Sequence, residues 1–262
     1  MHKSNNLSIK LLSLVIPAYK QENTIVKDLQ NIIKTLNKLE YNYEIIVVVD
    51  GIIDKTYENA KSLRSKKVKV VSFEKNQGKG SAIRYGMLHA TGDVIGFIDA
   101  GMDIHPAGFK MLLSHMEWYN ADIIVGSKLH PVSKVTYPLY RTILSWGYRT
   151  LTRVLFGFKV RDTQVGIKFF KRKVVHDVLP RLLVKRYAFD IEILAVAFSL
   201  GYTRIFEAPV EINFKGGSIT SKNMWSIICL MLIDTAAVFY RLKILHYYDK
   251  KPRKTPQTLL AT

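Results

Sequence analysis

The stretch "GFIDAGMDIHP", residues 96–106, ends an apolar run at Asp99 and places a second carboxylate, Asp103, four residues further on. Gly101 lies between the two acids. Two carboxylates that follow a buried strand offer the hard oxygen ligands that Mg²⁺ and Mn²⁺ prefer. Asp and Gly are also common in turns that follow strands, so this spacing alone leaves a metal site and an ordinary turn both open.

Apolar runs of strand length alternate with amphipathic segments on both sides of this stretch. Strands are predicted over residues 11–16, 44–49, 67–73, 93–99 and 121–127, and helices over 22–39, 54–66, 78–90 and 105–120. Strands without polar alternation are typical of a sheet that is buried on both faces. The pattern therefore predicts an α/β fold with a mostly parallel sheet flanked by helices.

The second half of the chain is less regular. Helices are predicted over residues 135–157, 187–202 and 222–248, a turn with a short strand and a helix start over 160–175, and strands broken at Pro209 over 204–214. Residues 215–223 read as a basic loop. We therefore predict a domain of residues 1–214, followed in residues 215–262 by this loop and an amphipathic C-terminal helix.

The loops that follow the predicted strands collect side chains suited to ligand binding. Such loops meet at one edge of a parallel sheet, where open α/β sheets bind their ligands. The glycines of "NQGKG", residues 76–80, would let a backbone approach a ligand closely, although the spacing is not that of a P-loop. The candidates at this edge are Pro17, Tyr19, Glu22, Asp50, Lys79 and Asp99.

The chain has 262 residues and a net charge of +18 with His neutral, which suits one large α/β domain or two small ones. The basic excess favours anionic partners: nucleic acid, phosphorylated ligands or an anionic membrane surface. The single cysteine, Cys229, excludes an intramolecular disulfide. The apolar run that leads into Pro17 is predicted to be the first strand rather than a signal peptide.

The longest apolar stretch, residues 225–240, is shorter than the roughly 20 residues of a membrane-spanning helix. Asp234 also interrupts it. Two interpretations are compatible with this pattern. The helix lies on a membrane surface, with Trp225, Tyr240, Tyr247 and Tyr248 at the headgroups, or it is a terminal helix packed on the domain.

Four stretches, in this order and at these spacings, resemble inverting family 2 glycosyltransferases with a GT-A fold. They are "LSLVIPAYKQE", "VVVDGIIDKT", "NQGKGSAIRYGML" and "FIDAGMDIHP". Further on, "RDTQVGIKFFKR" and "FDIEIL" resemble the branch that transfers a sugar onto a polyprenyl phosphate, with dolichyl-phosphate glucosyltransferases first and mannosyltransferases next. The resemblance covers roughly residues 11 to 214.

The resemblance implies a nucleotide-sugar site, with UDP-glucose favoured and GDP-mannose as the alternative. Asp50 would contact the base, Lys79 would lie near the nucleotide, and Asp99 matches the first acid of the family's DxD signature. Gly101 stands where the second acid belongs, so Asp103 is predicted to be the other ligand of Mg²⁺ or Mn²⁺. A weakened or lost metal site is the rival interpretation.

On the acceptor side, the resemblance implies that Lys128, Gln164 and Arg172 line or hold the acceptor phosphate, and that Asp162 orients the acceptor. The predicted catalytic residues are Asp99, Asp162, Lys168 and Arg172. Ordinary turn or surface-charge roles remain open for Asp162, Lys168 and Arg172.

The expected reaction moves a hexose onto a polyprenyl phosphate at the cytoplasmic face of a membrane, with the protein attached peripherally through its C-terminal helix. A nucleic-acid-binding protein would explain the charge but not the ligand-type loops gathered at one sheet edge. A catalytically silent nucleotide-sugar binder and a transferase that acts on a soluble glycan are the remaining alternatives.

Overall fold

The protein is described by a computed structural model, which covers residues 8–101, 104–133, 139–157, 160–211 and 224–250. The strands within these residues are β1 Leu11–Ala18, β2 Asn42–Asp50, β3 Val68–Phe73, β4 Val94–Ile98, β5 Ile123–Ser127, β6 Ile167–Lys171 and β7 Ile205–Pro209. The helices are α1 Ile25–Leu36, α2 Thr56–Lys61, α3 Lys79–Leu88, α4 Phe109–Trp118, α5 Leu139–Phe156, α6 Arg172–Val178, α7 Phe189–Ser199 and α8 Met224–Phe239.

These strands form one sheet with the order β3-β2-β1-β4-β6-β5-β7. β1 pairs in parallel with β2 and β4, and β5 pairs in parallel with β7. β6 runs antiparallel to both of its neighbours, β4 and β5. The predicted α/β fold with a mostly parallel sheet is confirmed, and β6 is the exception that matters for the site.

The sheet is buried on both faces, as its apolar strands predicted. Along β1, Leu14 and Ile16 belong to one apolar layer, whereas Val15 belongs to the layer on the opposite face. The α1 helix contributes to the first layer through side chains at helical spacing, namely Ile25, Leu29, Ile32 and Leu36. Because both faces are covered, the strand ends and the loops that follow them are left to form a ligand site.

The C-terminal helix ends earlier than the sequence predicted. After α8 the chain makes a π-helical turn over Tyr240–Ile244, and His246 then takes a left-handed conformation with φ 48°. This reversal carries Tyr248 into the core, where its hydroxyl donates a 2.7 Å hydrogen bond to Glu192 Oε1. The prediction that Tyr248 lies among lipid headgroups is therefore wrong. The boundary predicted near residue 215 lies outside the described residues.

The α8 helix is buried on one side and exposed on the other. Thr235 and Val238 are fully buried, and Tyr148 of α5 shares a 2.8 Å hydrogen bond with the Thr235 hydroxyl. Leu230 and Ile233 are exposed. No helix of the described ranges is long and apolar enough to cross a membrane. The C-terminal helix thus packs on the domain and still presents apolar side chains to the solvent.

Candidate active site

The end of β2 is tied to the loop of residues 76–78 by the carboxylate of Asp50. Asp50 Oδ1 accepts a 2.7 Å hydrogen bond from the Gln77 N–H, and Oδ2 accepts a 2.9 Å bond from the Gly78 N–H. Asn76 Nδ2 donates a third bond to Oδ2, at 3.0 Å. Asp50 therefore shapes the loop that leads into α3. Contact of its carboxylate with a nucleobase stays a prediction, and it would use the remaining lone pairs.

The glycines that flank Lys79 make room for protein rather than for a ligand, which corrects the interpretation drawn from "NQGKG". A Cβ at Gly78 would lie 2.5 Å from the Lys185 carbonyl oxygen, and one at Gly80 would lie 2.7 Å from Phe189 Cβ. Gly78 also has φ +98°, a conformation that favours glycine. The glycines let the start of α3 press against the start of α7.

Lys79 and Asp99 form the central contact of the candidate donor site. Lys79 is the first residue of α3, and its ammonium lies 2.8 Å from Asp99 Oδ1 and 2.9 Å from Oδ2. The two side chains remain partly exposed, at 24% and 39%. The backbone of Asp99 is held by Gly166, because the Asp99 N–H donates a 2.9 Å hydrogen bond to the Gly166 carbonyl. The Asp99 side chain packs directly against this glycine, where a Cβ would lie 2.0 Å from Asp99 Oδ2.

Asp190 of α7 extends this contact into the core. Its Oδ2 lies 3.5 Å from Lys79 Nζ, and its Oδ1 accepts a hydrogen bond from Lys168 Nζ. Burial alone would raise the pKa of Asp190, but the charges of Lys168 and Lys79 outweigh it and hold this pKa below its ordinary value. Burial likewise would lower the pKa of Lys79, but Asp190 and Asp99 outweigh it and raise that pKa.

Lys168 does not reach the substrate side of the sheet. Its side chain is 0% exposed, and its ammonium donates to the Val165 carbonyl at 2.8 Å as well as to Asp190. Burial lowers the pKa of Lys168, and the Asp190 carboxylate opposes that shift. The prediction that Lys168 is catalytic is therefore wrong, since the residue lies sealed beneath the site and serves as a counter-ion of Asp190.

The predicted metal ligands are only partly described. Asp99 supplies a partly exposed carboxylate, and Asp103 lies outside the described residues. Within those residues no group of three acidic, His or Cys side chains could hold an ion. Mg²⁺ commonly binds through one or two carboxylates together with substrate phosphates. Asp99 fits that pattern, and Gly101, with φ +98°, adopts a backbone conformation that an acid in its place would strain.

The loop after β1 supports the donor edge from the other side. Pro17 is buried within β1, where it pairs with Val48, and Tyr19 is half-buried just beyond the strand. Glu22 Oε2 accepts a 3.1 Å hydrogen bond from the Lys55 N–H, immediately before α2. The structure therefore brings Pro17, Tyr19 and Glu22 to the predicted edge, and their contact with a nucleotide stays a prediction.

Asp162 and Lys128 meet on the opposite side of Asp99. The buried Asp162 carboxylate accepts a 3.1 Å hydrogen bond from the Lys128 N–H, just after β5. Glu207 of β7 accepts from the N–H groups of Arg161 and Asp162, at 3.0 and 2.8 Å. These bonds fix the turn that leads into Gly166. Asp162 is therefore held at the same sheet edge as Asp99.

Gln164 lies in this turn, between Asp162 and Gly166. Its N–H approaches Asp162 Oδ1 at 3.4 Å, and its side-chain Nε2 is buried without a hydrogen-bond partner. The neighbouring Thr163 hydroxyl is also buried and without a partner. Unsatisfied buried polar atoms are rare in folded proteins. Gln164 therefore lies on the predicted acceptor side with its Nε2 buried, and its contact with an acceptor stays a prediction.

Arg172 lies at the wrong end of the sheet for the role that the sequence suggested. It follows β6, whose last residue, Lys171, pairs with Val94 at the start of β4. The Arg172 N–H bonds the Asp93 carbonyl, before β4, whereas Asp99 follows that strand. Because β6 is antiparallel, its carboxyl end points away from the site, and the predictions that Arg172 is catalytic and that it holds an acceptor phosphate are wrong.

A cationic groove adjoins Asp162 instead. It has a volume of about 430 Å³ and begins where Leu129 and Arg161 flank the contact between Lys128 and Asp162. Its lining is formed by Leu129, Trp146, Arg149, Thr150, Arg153, Val160 and Arg161. Three guanidinium groups with apolar neighbours suit an anion that carries a hydrocarbon chain.

The family model of glycosyl transferase family 2 matches residues 13–179, which include Asp50, Lys79, Asp99 and Asp162. The chain belongs to this family. The match includes Lys79 and Asp99 on the donor side and the turn on the acceptor side, whereas Asp190 lies beyond its last residue.

Two curated relatives of this glycosyltransferase have the same name. The dolichyl-phosphate beta-glucosyltransferase of Drosophila melanogaster is 34% identical over 205 residues, which cover 72% of this chain and 63% of the fly protein. The Homo sapiens protein of that name is 32% identical over 223 residues, or 78% of this chain and 67% of the relative. The chain thus spans a little under two thirds of the fly protein's length.

Solved structures place the fold among GT-A-like proteins. Glucosyl-3-phosphoglycerate synthase from Mycobacterium tuberculosis, crystallised with Mn²⁺, UDP-glucose and phosphoglyceric acid, gives a TM-score of 0.66 at 20% identity, covering 88% of this chain and 79% of that one. Mannosyl-3-phosphoglycerate synthase from Rubrobacter xylanophilus gives 0.69 at 15% identity, covering 89% and 75%. At these identities the likeness shows the GT-A-like fold alone.

Three residues of the site had no role in the sequence-based prediction. Asp190 belongs to "FDIEIL", which contributed to the family resemblance, and two acids at the start of an apolar helix were its available signal. Gly166 follows "RDTQV" directly, but only the position of Asp99 explains why it is glycine. Glu207 lies in β7 and carries no local motif that would point to it.

Proposed function

We propose that this glycosyltransferase moves glucose from UDP-glucose to a dolichyl or other polyprenyl phosphate. The observation that carries the proposal is the junction between Asp99 and the turn of residues 162–166, which joins the donor edge to the cationic groove. The names of the relatives and the UDP-glucose bound to a fold neighbour support the choice of sugar and acceptor. Mannosyl transfer from GDP-mannose is the second candidate that the sequence resemblance suggests.

The donor half would use Lys79 and Asp99 around the diphosphate. Lys79 would neutralise a phosphate oxygen, and Asp99 would hold Mg²⁺ or Mn²⁺ together with the diphosphate, with Asp103 as the second predicted ligand. Such an ion supplies additional positive charge to the leaving diphosphate. Asp50 and the residues at the end of β1 would shape the pocket for the base and ribose. The fold neighbour crystallised with Mn²⁺ supports this assignment.

The acceptor half would use the groove instead of Arg172. Arg149, Arg153 and Arg161 would bind the acceptor phosphate, and Trp146 would contact the first part of the hydrocarbon chain. The N–H groups of Lys128 and Gln164 both contact the Asp162 carboxylate next to this groove, so these residues would meet the phosphate as it approaches the sugar. Arg161 directly precedes Asp162, so it connects the groove to the turn that supports Asp99.

The chemistry requires alignment and charge compensation more than proton transfer. A polyprenyl phosphate is already an anion at neutral pH, so its oxygen attacks the anomeric carbon without needing a strong base. The bond from that carbon to the diphosphate oxygen breaks, and UDP leaves with the electron pair. Lys79 compensates the charge that develops on UDP. A single displacement inverts the configuration, so an α-linked donor gives a β-linked lipid.

A transfer assay tests the proposal. Purified protein, undecaprenyl or dolichyl phosphate and Mn²⁺ or Mg²⁺ are incubated with UDP-glucose or GDP-mannose, and the lipid fraction is analysed by mass spectrometry. We expect hexosyl polyprenyl phosphate with UDP-glucose. Addition of EDTA should abolish it, and Asp103→Ala should weaken it. Product with GDP-mannose alone would favour the second candidate, and sugar transfer only to soluble glycans would overturn the proposed acceptor.

We further infer that α5 and α8 both contact a membrane surface, which adds α5 to the peripheral attachment predicted for the C-terminal helix. Trp146 and Val154 of α5 and Ile233 of α8 are exposed, and Arg149 and Arg153 would meet anionic headgroups. Flotation with vesicles of phosphatidylcholine and phosphatidylserine tests this contact. Trp146→Ser should weaken binding about fivefold.

The matched control for flotation is Trp118→Ser, which removes an exposed tryptophan at the end of α4. We expect this variant to float as the unmodified protein does. Equal losses for Trp118→Ser and Trp146→Ser, or no vesicle binding by the unmodified protein, would contradict the membrane contact through α5 and α8.

A further inference from the structure

The charged groups beneath the donor edge form a chain of alternating sign. Lys79 contacts Asp99 at 2.8 and 2.9 Å and Asp190 at 3.5 Å, and Asp190 also binds Lys168. Only the first pair is partly open to solvent, because Asp190 and Lys168 are buried. A buried charge requires a partner of opposite sign. The buried charges of Asp190 and Lys168 therefore depend on each other, and Asp190 also pairs with Lys79.

The position of Asp190 results from close backbone packing between α3 and α7. The Ser81 N–H donates a 3.1 Å hydrogen bond to the Lys185 carbonyl, and Gly78 and Gly80 leave no space for a Cβ against residues 185–189. Larger residues at either glycine would push the two helix starts apart. This packing brings the Asp190 carboxylate within reach of Lys79.

The orientation of Asp190 is set from the core side. Lys168 lies on β6, with its ammonium anchored to the Val165 carbonyl at 2.8 Å, and it holds Asp190 Oδ1. The other oxygen, Oδ2, is left to face Lys79. Lys168 thus fixes the orientation of the Asp190 carboxylate, and Asp190 in turn fixes the position of the Lys79 ammonium at the donor edge.

We propose that Asp190 is a positioning residue that holds the Lys79 ammonium at the donor edge and retains it there when a divalent cation binds the Asp99 carboxylate. A cation that binds Asp99 competes with Lys79 for the same two oxygens. Without Asp190, Asp99 would be the one carboxylate paired with Lys79 among the described residues. Lys79 would then face the buried Lys168 ammonium without the Asp190 charge that now pairs with both. This inference rests on the proposed donor site, not on the acceptor.

A double-mutant cycle measured by UDP binding tests the inference without any lipid or turnover. Isothermal titration with UDP, in the presence and absence of Mn²⁺, is performed on the unmodified protein and on Lys79→Met, Asp190→Asn and the double variant. We expect Asp190→Asn to weaken UDP binding about tenfold in the unmodified background. In the Lys79→Met background the same change should have less than about a twofold effect, because Asp190 acts through Lys79.

The matched control is Glu192→Gln, which removes a second buried carboxylate from the same helix. Glu192 accepts hydrogen bonds from the Leu183 and Val184 N–H groups and from Tyr248, and none of these partners belongs to the charge chain. Its substitution should leave the UDP dissociation constant within about twofold. Thermal melting of each variant verifies that it folds.

Asp190→Asn leaves the buried Lys168 ammonium without its counter-charge, and this loss can prevent folding. A second variant is used in that case. Lys168→Met with Asp190→Asn removes both charges of the buried pair and still deprives Lys79 of Asp190. The expected result is the same loss of UDP binding of about tenfold. Adding Lys79→Met to this pair, compared with Lys79→Met alone, should change UDP binding by less than about twofold.

Equal effects of Asp190→Asn in both backgrounds, or an equal loss for Glu192→Gln, would overturn the positioning role and leave Asp190 as a structural counter-ion. If the unmodified protein binds GDP and not UDP, the cycle is run with GDP. Binding of neither nucleotide would overturn the donor site and this inference together. Failure of sugar transfer to the polyprenyl phosphate, with nucleotide binding intact, would overturn the proposed acceptor alone.

Discussion

The two halves of the candidate site are built differently. On the donor side, Asp50 is engaged by the loop of residues 76–78, and Lys79 is held between Asp99 and Asp190. On the acceptor side, an open groove carries three arginines among seven lining residues, and none of those seven is acidic. The charged side chains of the donor side pair with one another, whereas the arginines of the acceptor side face an open groove and are available to an anionic ligand.

This difference predicts how each half responds to substitution. Donor-side residues support one another, so removing one disturbs both the site and its buried counter-ions. Acceptor-side arginines lie on the surface, where a substitution changes ligand affinity with little effect on the free energy of unfolding. The experiments below separate the two halves by these responses, beginning with the largest expected effect.

Lys79→Met should cause the largest loss. It removes the positive charge that faces the leaving diphosphate, and loss of one such group typically slows an enzyme about 100- to 1000-fold. We expect kcat/KM for UDP-glucose to fall within that range in the transfer assay, with the fold retained by circular dichroism. A decrease of less than threefold would show that the donor half does not depend on its central contact.

Gly166→Ala should impair the donor half by displacing the Asp99 carboxylate that packs against Gly166. A Cβ at this position would lie 2.0 Å from Asp99 Oδ2, so either the carboxylate or the backbone must move. We expect about 1–3 kcal/mol of lost stability in urea denaturation and at least about tenfold lower activity.

The matched control for Gly166→Ala is Gly147→Ala, where the new methyl group would meet no described atom within 4 Å apart from its chain neighbours and the backbone of its own helix. Gly147 lies inside α5, so alanine there should stabilise the helix by roughly 0.5–1 kcal/mol without loss of activity. Similar behaviour of the two variants would mean that the close approach of Gly166 to Asp99 has no functional consequence.

Arg161→Gln and Arg153→Gln should affect the acceptor half alone. Each removes one guanidinium from the groove, so we expect KM for the polyprenyl phosphate to rise about tenfold while KM for UDP-glucose and the melting temperature stay constant. Arg172→Gln, at the opposite edge of the sheet, is the matched control and should change neither KM. A rise in acceptor KM for Arg172→Gln would restore the role that the sequence suggested.

Tyr248→Phe should have the smallest effect on activity. It removes the 2.7 Å hydrogen bond to Glu192 and keeps the ring that packs in the core. We expect the free energy of unfolding to fall by about 1–3 kcal/mol, measured by urea denaturation, with transfer activity within about twofold. A large loss of activity at unchanged stability would show that the C-terminal segment contributes to the candidate active site, whereas we assign it a structural role alone.

The sequence predicted the sheet and the edge that carries the candidate site because apolar runs and loop residues are local signals. It did not reveal the direction of β6, because a five-residue strand carries no local signal of its direction. The family resemblance therefore assigned Arg172 to the acceptor phosphate, although this residue lies at the other end of the strands. Burial of the Lys168 ammonium depends on Asp190, which is 22 residues away in the chain. Likewise, the fold-back of Tyr248 depends on Glu192, so no pattern near residue 248 indicates where the helix ends.

The central claim is that donor and acceptor meet at one sheet edge for a single direct displacement. The most direct test is the anomeric configuration of the product that forms from UDP-[¹³C]glucose and polyprenyl phosphate, read from the one-bond carbon–proton coupling by NMR. We predict a β-linked glucosyl phosphate. An α-linked product would contradict the direct displacement, and absence of any lipid-linked glucose would contradict the proposed reaction.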